Sequence, residues 1–332
     1  MATIKETNYL AITAMLAART SGMLSAERLE RMIAAASDDE AVKVLEECGC
    51  GDLTGKSFGE VNAALEDRVT ALFDEMEHMS PEKELVQIFR LKYDYHNIKT
   101  IVKAEGAGVK GEDLLSARGS VDPEVLKQAF VSGEYLELPP ELAEAMQEAG
   151  SVLARTSNPQ LADFSLDRAY FAGLQKLTAD LSDNGFSRAY VRLLIDSANL
   201  RSAVRTHRMG KDADFLRLAL VPGGEVNENA VALADSGEAV ADLYKATRLG
   251  DAADAGAVAW NGGSLTAFEK ACDNAVMQYV REAKIMHFGA AHVLSYLAAI
   301  ENETTAARMI LSGRQAGLKP DTIRERLRDT YA

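Results

Sequence analysis

The sequence predicts an all-α protein, and three observations support this fold class. Apolar residues recur at spacings of three and four along stretches such as 84–104 and 187–208, which is the periodicity of helices with one buried face. Alternating patterns rich in β-branched residues are nearly absent. Most of the seven prolines stand at helix starts or breaks, as in Ser80-Pro81, Asp122-Pro123 and Lys319-Pro320, where a capping residue and proline favour a first turn.

An internal repeat organises these helices. Three segments share one layout, in which a helix led by an aromatic or apolar residue precedes a longer helix; the first helices cover 58–73, 164–178 and 265–280, and the longer helices cover 84–104, 185–205 and 292–311. A Gly-rich turn and a further helix follow each longer helix. Self-similarity at such a period indicates repeated structural units.

The chain is staggered with respect to this repeat. Its N-terminal stretch AARTSGMLSAERLERMI resembles the junction that follows a longer helix. We therefore expect the terminal helices to complete neighbouring units, so that three units close on one another. The predicted units are residues 1–110, with the N-terminal helix; 111–212; and 213–332, with a C-terminal closing helix.

The longer helices share a polar motif. It reads Asp94-x-x-Asn97-Ile98-Lys99, then Asp196-x-x-Asn199-Leu200-Arg201, and in a degraded third copy Glu303-x-x-Ala306-Ala307-Arg308. On a helix the acid and the Asn share a face, whereas the base is turned by about 140°.

Two roles are open for this motif, which combines a hydrogen-bond acceptor with an amide that donates and accepts. The favoured interpretation is an interior fastener to a loop of the next unit, and the alternative is direct contact with a partner protein. A catalytic aspartate needs a base or nucleophile beside it, and the sequence shows none. The structural or interface candidates are Asp94, Asn97, Lys99, Asp196, Asn199, Arg201, Arg205, Glu303 and Arg308.

Composition narrows the class of function. Fifty acids against 36 bases give a formal charge of −14, which repels nucleic acid and anionic lipid. No secretory signal is visible, and the weakly polar run 288–300 is too short to span a bilayer. We expect a soluble, cytoplasmic protein. The three cysteines fit a reducing compartment, and neither they nor the five histidines have metal-ligand spacing, so no metal or cofactor is expected.

The stretch ECGCGDLTGKSFG, residues 47–59, ends like a phosphate-binding loop. The first glycine of such a loop is required at position 50, which is Cys50, and a strand should precede the loop. Here the preceding residues 39–47 have a helical pattern. We interpret the stretch as a turn with Ser57 capping the first repeated helix at Phe58, and we expect no nucleotide binding there.

The densest basic run of this acidic chain lies at residues 188–211. It is either a solvated helix face or a docking patch for an acidic protein. Arg201 and Arg205 are its candidate contact residues.

Several motifs together resemble one family: the N-terminal junction Tyr9…Ala18-Arg19-x5-Ser25-x-Glu27-x-x-Glu30, LKYDYHNIK (91–99), FSLDRAYF (164–171), FEKACDN (268–274), YLAAIENE and RMILSGRQAGLKPDTIRERL. The family is the C subunit of bacterial and archaeal V-type (A-type) ATPases and ATP synthases, which is similar to the d subunit of the eukaryotic vacuolar enzyme. The resemblance runs from about residue 5 to 330. Ala306 and Ala307 depart from it, which puts the third Asn fastener in doubt.

The resemblance implies three similar helical domains around a pseudo-threefold axis, funnel-like in shape. It implies a non-catalytic rotor component, a socket that links the central shaft, made of the D and F subunits, to the proteolipid ring on the cytoplasmic side of the membrane. Torque for ATP-coupled H⁺ or Na⁺ transport would pass through it, without direct nucleotide binding. The alternative function, from a different class, is a stand-alone helical-repeat adaptor for an acidic protein partner.

Overall fold

The computed structural model describes residues 4–183 and 185–332. Within these ranges the chain forms sixteen α-helices and three short 3₁₀ helices and no β-strand, so the predicted all-α class is confirmed. The α-helices are α1 Leu10–Thr20, α2 Ala26–Ala34, α3 Asp38–Glu47, α4 Phe58–Met79, α5 Glu84–Ala107, α6 Pro123–Ser132, α7 Pro140–Thr156, α8 Pro159–Thr178, α9 Phe186–Arg208, α10 Ala213–Ala219, α11 Glu228–Leu233, α12 Gly237–Tyr244, α13 Gly250–Trp260, α14 Leu265–Arg281, α15 Ala290–Gln315 and α16 Pro320–Arg326. The 3₁₀ helices are Glu6–Tyr9, Glu112–Leu114 and Glu282–Ile285.

The six repeated helices are present. The first helices of the three copies are α4, α8 and α14, and the longer helices are α5, α9 and α15. We call the latter the long helices. The first two of them approach each other near their N-terminal ends, where the rings of Phe89 and Tyr190 lie 6.4 Å apart.

Two of the three proline signals are confirmed and one is wrong. Asp122 caps α6 by accepting the Glu124 N–H, and Pro320 opens α16. Ser80, in contrast, does not cap α5, which begins at Glu84. Its hydroxyl donates to the Glu82 carbonyl at 2.8 Å and accepts from the Glu82 N–H, because Ser80-Pro81 forms a separate turn between α4 and α5.

The buried apolar residues form three clusters. The largest includes residues of α4, α5, α8, α9 and α11–α15, and another lies among α5–α8. A further cluster packs α2 and α3 against the C-terminal half of α15, with Ile323 of α16. The two ends of the chain thus share one core, as the staggered repeat predicts. The limits of the three units and the pseudo-threefold axis stay predictions.

The segment between α3 and α4 is a turn that its own carboxylates hold. Ser57 caps α4 in a capping box with Glu60, which confirms the predicted start at Phe58. The N–H groups of Leu53 and Thr54 donate to the Glu46 carboxylate, each at 2.7 Å, and these bonds, that of Leu53 first, lower the pKa of Glu46. The amides that a phosphate would require already have an anionic acceptor.

The cap at Ser57 can be tested. Ser57→Ala removes the acceptor of the Glu60 N–H and is expected to cost about 1 kcal/mol of unfolding free energy. Lys56→Ala, at the neighbouring exposed position, is the control and should unfold like the wild type. Denaturant unfolding followed by circular dichroism measures both. Equal stability of the two variants would contradict the capping box.

Candidate functional site

The first copy of the polar motif holds the junction between α5 and α6. The buried Asp94 carboxylate accepts the N–H groups of Ser120 at 2.8 Å and Val121 at 3.1 Å, and the Ser120 hydroxyl at 2.5 Å. Asn97, which has no exposed surface, pairs with the backbone of Ser116, donating to its carbonyl and accepting its N–H, both at 2.8 Å. The acid and the amide thus bind one loop from the same helix face.

The second copy repeats this arrangement between α9 and α11. The Asp196 carboxylate accepts the N–H groups of Glu225 at 2.8 Å and Val226 at 3.1 Å. Asn199 pairs with the backbone of Val221 in both directions at 2.8 Å. Burial raises the pKa of the Asp94 and Asp196 carboxyls, and the hydrogen bonds that each accepts act in the opposite direction.

The third copy reaches across the ends of the chain. Glu303 of α15 accepts the N–H of Leu24 at 2.8 Å, and its other oxygen accepts from the Arg68 guanidinium at 2.7 Å. Ala306 stands where the other copies have Asn, and its methyl group cannot form the amide pair. The third Asn fastener, which the sequence put in doubt, is absent, and the Glu303 carboxylate instead forms an ion pair with Arg68 of α4.

A common register underlies the three junctions. The residue whose N–H the acid accepts, Val121, Val226 or Leu24, directly precedes the residue that caps the next helix. The cap itself is Asp122, Asn227 or Ser25. We call this arrangement the junction clasp. It fixes the direction in which the chain enters the following helix.

Glycine stands two residues before the clasped residue in every copy. A Cβ atom at Gly119 would lie 2.3 Å from Asp94 Oδ1, and one at Gly224 would lie 2.1 Å from Asp196 Oδ1. The third glycine, Gly22, has only the Arg19 carbonyl oxygen at 3.4 Å. The first two glycines are therefore required by the close approach of the carboxylate.

The bases of the motif join each copy to the next. Lys99 pairs with Asp167 of α8 and Arg201 with Asp273 of α14, each at 2.5 Å. Arg308 pairs with Glu66 of α4. The acids lie on the first helix of the next copy, and the third copy returns to the first.

A second row of ion pairs occurs in two copies. Lys103 contacts Asp163 and Arg205 contacts Glu269, each at 2.5 Å. The corresponding positions of the third copy are Ser312 and Asn62, which carry no charge.

The basic run 188–211 is thus partly engaged within the chain. Besides Arg201 and Arg205, Arg208 donates to the carbonyls of Ala259 and Gly263, and the His207 ring stacks on Trp260 at 3.9 Å. A docking role for this run therefore has to be tested without breaking these internal contacts.

Burial sets the chemistry of two of the three cysteines. Burial raises the pKa of the Cys50 and Cys272 thiols to about 11, so they stay protonated at neutral pH and are poor nucleophiles and ligands. Among residues 4–183 and 185–332, no group of three or more His, Cys, Asp or Glu side chains is placed to hold a metal ion.

A cavity of about 450 Å³ lies between the long helices. Its wall includes Phe89 of α5, Tyr190 and Leu194 of α9, and Glu301 and Thr305 of α15, with further residues of α8 and α14. A second cavity, of about 790 Å³, shares Lys92 and Tyr170 with the first and is lined by α4, α5 and α8. The motif bases line these cavities, Arg201 the first and Lys99 and Arg308 the second.

Sequence reasoning predicted a loop backbone as the partner of the acid and the Asn, but it missed the acids that pair with the motif bases. The acids Glu66, Asp167 and Asp273 follow nearly the same offset as the bases and were detectable from the repeat. Arg68 is not part of the repeated motif, so nothing in the sequence indicated that it pairs with Glu303.

Comparisons with known proteins match one family along nearly the whole chain. The family model described as "ATP synthase (C/AC39) subunit" matches residues 12–326. The C subunit of the V-type sodium ATPase of Enterococcus hirae is 23% identical, over 97% of this chain and 99% of that protein. The C subunit of the A-type ATP synthase of Methanocaldococcus jannaschii is 25% identical over 96% and 86%, and that of Haloquadratum walsbyi is 24% identical over 95% and 96%.

The three junction glycines provide a matched set of variants. Gly119→Ala and Gly224→Ala place a methyl group against the clasp carboxylate, which must move and lose hydrogen bonds, so each should cost roughly 2 kcal/mol. Gly22→Ala meets only ordinary contact and should stay within about 0.5 kcal/mol of the wild type. Thermal and denaturant unfolding measure the three. A loss in Gly22→Ala as large as in the others would refute the carboxylate explanation.

The closing junction can be tested by a second pair of variants. Glu303→Gln leaves the Arg68 guanidinium, whose side chain is 19% exposed, without its charge partner, and is expected to destabilise the fold by about 3 kcal/mol. Glu30→Gln breaks the exposed pair with Arg324 across the same chain ends and should change the melting temperature little. If both variants melt alike, the buried pair is not what closes the junction.

Proposed function

The chain belongs to the ATP synthase (C/AC39) subunit family, as its motifs indicated, and from this premise we propose that it is the socket of the rotor in a V/A-type ATPase. In this proposal the chain itself is non-catalytic and binds no nucleotide. It links the D and F subunits of the shaft to the membrane rotor ring and passes torque between them. Its role as a component of such a complex follows from the family; the mechanical role is the proposal.

The cavity between the long helices carries this proposal. Its wall draws on α5, α9 and α15, one long helix from each copy. Aromatic and apolar side chains such as Phe89, Tyr190 and Leu194 line it beside charged ones, which is the composition of a protein-binding surface. We propose that the foot of the shaft enters here.

The ion pairs between copies support a ring of three domains around a pseudo-threefold axis. Each motif base contacts the first helix of the following copy, including the return from Arg308 to Glu66. In such a ring the clasps act as interior fasteners and not as partner contacts, because their acids and amides are buried and bonded to the chain's own backbone. Torque transmission needs this kind of fixed junction.

In this proposal the chain is attached to the membrane through the rotor ring. Among the residues that the structure describes, no helix combines the length and apolar character needed to cross a bilayer. We propose a peripheral position on the cytoplasmic side, where the chain contacts the proteolipid subunits.

Filling the cavity tests the seat of the shaft. Ala198 of α9 lines the cavity, and Ala198→Trp should weaken binding to purified D–F complex about tenfold or more, by occupying the space that the foot needs. Arg192→Trp, on the exposed face of the same helix, should bind like the wild type. Calorimetric titration measures both, and circular dichroism checks that both variants fold.

Two outcomes would argue against this seat of the shaft. Unchanged binding by Ala198→Trp would show that the shaft sits elsewhere. Absence of binding by the wild type, together with no ATPase subunits recovered from native membranes, would favour the adaptor function.

For the basic run, exchanging Arg205 and Glu269 preserves their internal pair while moving the charge, so weaker assembly of that double variant would indicate a docking role.

A further inference from the structure

The repeat offset defines levels of equivalent residues along the three long helices. Equivalent positions of the long helices are separated by 102 and then 107 residues, as for Asp94, Asp196 and Glu303. The level nearest the helix N-termini, Ile88, Tyr190 and Leu297, is buried and made of apolar and aromatic side chains. The level nearest the C-termini is wholly basic and consists of the motif bases Lys99, Arg201 and Arg308. Within each of these two levels, the three copies carry side chains of the same chemical type.

One level between them has three different characters. It contains Lys92 of α5, Leu194 of α9 and Glu301 of α15, all of which line the cavity. Lys92 and Glu301 contact each other at 3.2 Å, and Glu301 also accepts the Tyr93 hydroxyl. We call these three residues the unequal level.

This difference extends to two sides of the cavity. On α9 and α14 the wall is apolar at Leu194, Ala198, Val276, Met277 and Val280, and its polar groups are Ser197 and the Arg201–Asp273 ion pair. On α5 and α15 the wall carries the charged Lys92 and Glu301 and the polar Asn302 and Thr305, beside apolar residues such as Phe89 and Ala298. A charged pair and an apolar surface thus face the same space from different helices.

We infer that the unequal level seats its partner in one rotational register out of the three that equivalent helices would otherwise allow. This inference rests on the proposed function, since the occupant is the foot of the shaft. The foot that fits is a helical tip with one apolar stripe and one polar stripe. Its apolar stripe lies against α9 and α14, and its polar stripe lies against α5 and α15.

Desolvation determines the preference. In the other two registers the apolar stripe would cover the Lys92–Glu301 pair and exclude water from it, while polar groups of the foot would lie against Leu194 without hydrogen-bond partners. Both changes cost free energy. A seat with one register does not slip by a third of a turn when torque is applied.

Cross-linking from equivalent positions tests the register. His96, Ala198 and Thr305 occupy a neighbouring level; Ala198 and Thr305 line the first cavity, and His96 lines the second. Each is changed to Cys in a chain whose Cys48, Cys50 and Cys272 are replaced by Ala. The three variants are then mixed with D–F complex carrying a single cysteine at successive positions of the foot, and an added oxidant drives disulfide formation.

We expect each foot cysteine to form a disulfide with one of the three sites at least about tenfold faster than with the other two. Equal rates at all three sites would overturn the single register. Absence of cross-links together with absence of binding would instead overturn the proposed function. Normal calorimetric binding without any cross-link would show that the foot does not enter the cavity, which also overturns the inference.

Equalising the unequal level is the matched control. Lys92→Leu with Glu301→Leu gives leucine at all three positions, and the cross-links should then spread over the three sites while binding persists. A register that stays single in this double variant would show that these side chains do not set it. Melting temperatures confirm that the variant folds despite the unpaired Tyr93 hydroxyl.

Discussion

The fold depends on buried carboxylates that accept backbone N–H groups at the junctions between helices. An N–H group that leads into a helix needs an acceptor when it is buried, because an unpaired one is costly. Each long helix supplies that acceptor from a single acid, which binds the residue just before the next helix cap. One side chain therefore satisfies the backbone, orients the incoming chain and attaches one helix layer to the next.

The third clasp differs from the first two because it joins the two ends of the chain. The first two join segments that are close in sequence, 26 to 30 residues apart for the acid bonds, whereas Glu303 and Leu24 are 279 residues apart. Bringing the chain ends together costs more chain entropy. At this junction the Asn is missing, but Arg68 adds a charge-assisted bond, and Arg314 donates to three backbone carbonyls between residues 32 and 35. Ionic contacts thus replace the amide where no short loop restricts the junction.

Sequence reasoning predicted the helices, the repeat and the closing of the chain ends because all three produce periodic patterns in the sequence. It placed a helix start at Ser80 that the structure does not have, since a Ser-Pro pair favours a turn as readily as a cap. It did not predict the need for Gly119 and Gly224, which depends on how closely a side chain from another helix approaches. The resemblance implied a socket, but the side chains that line the cavity could not be predicted, because they depend on how the long helices pack against their neighbours.

The internal copies show which positions the fold constrains. Where a side chain serves the junction, the copies agree in chemistry: acid, amide or its ionic substitute, and base. Where a side chain faces the cavity between these levels, they diverge into Lys92, Leu194 and Glu301. The packing requirement that keeps equivalent residues alike at the junctions does not act at this part of the cavity wall, so a different constraint can act there. Contact with an occupant that does not share the repeat is such a constraint, since it presents different chemistry to each of the three long helices.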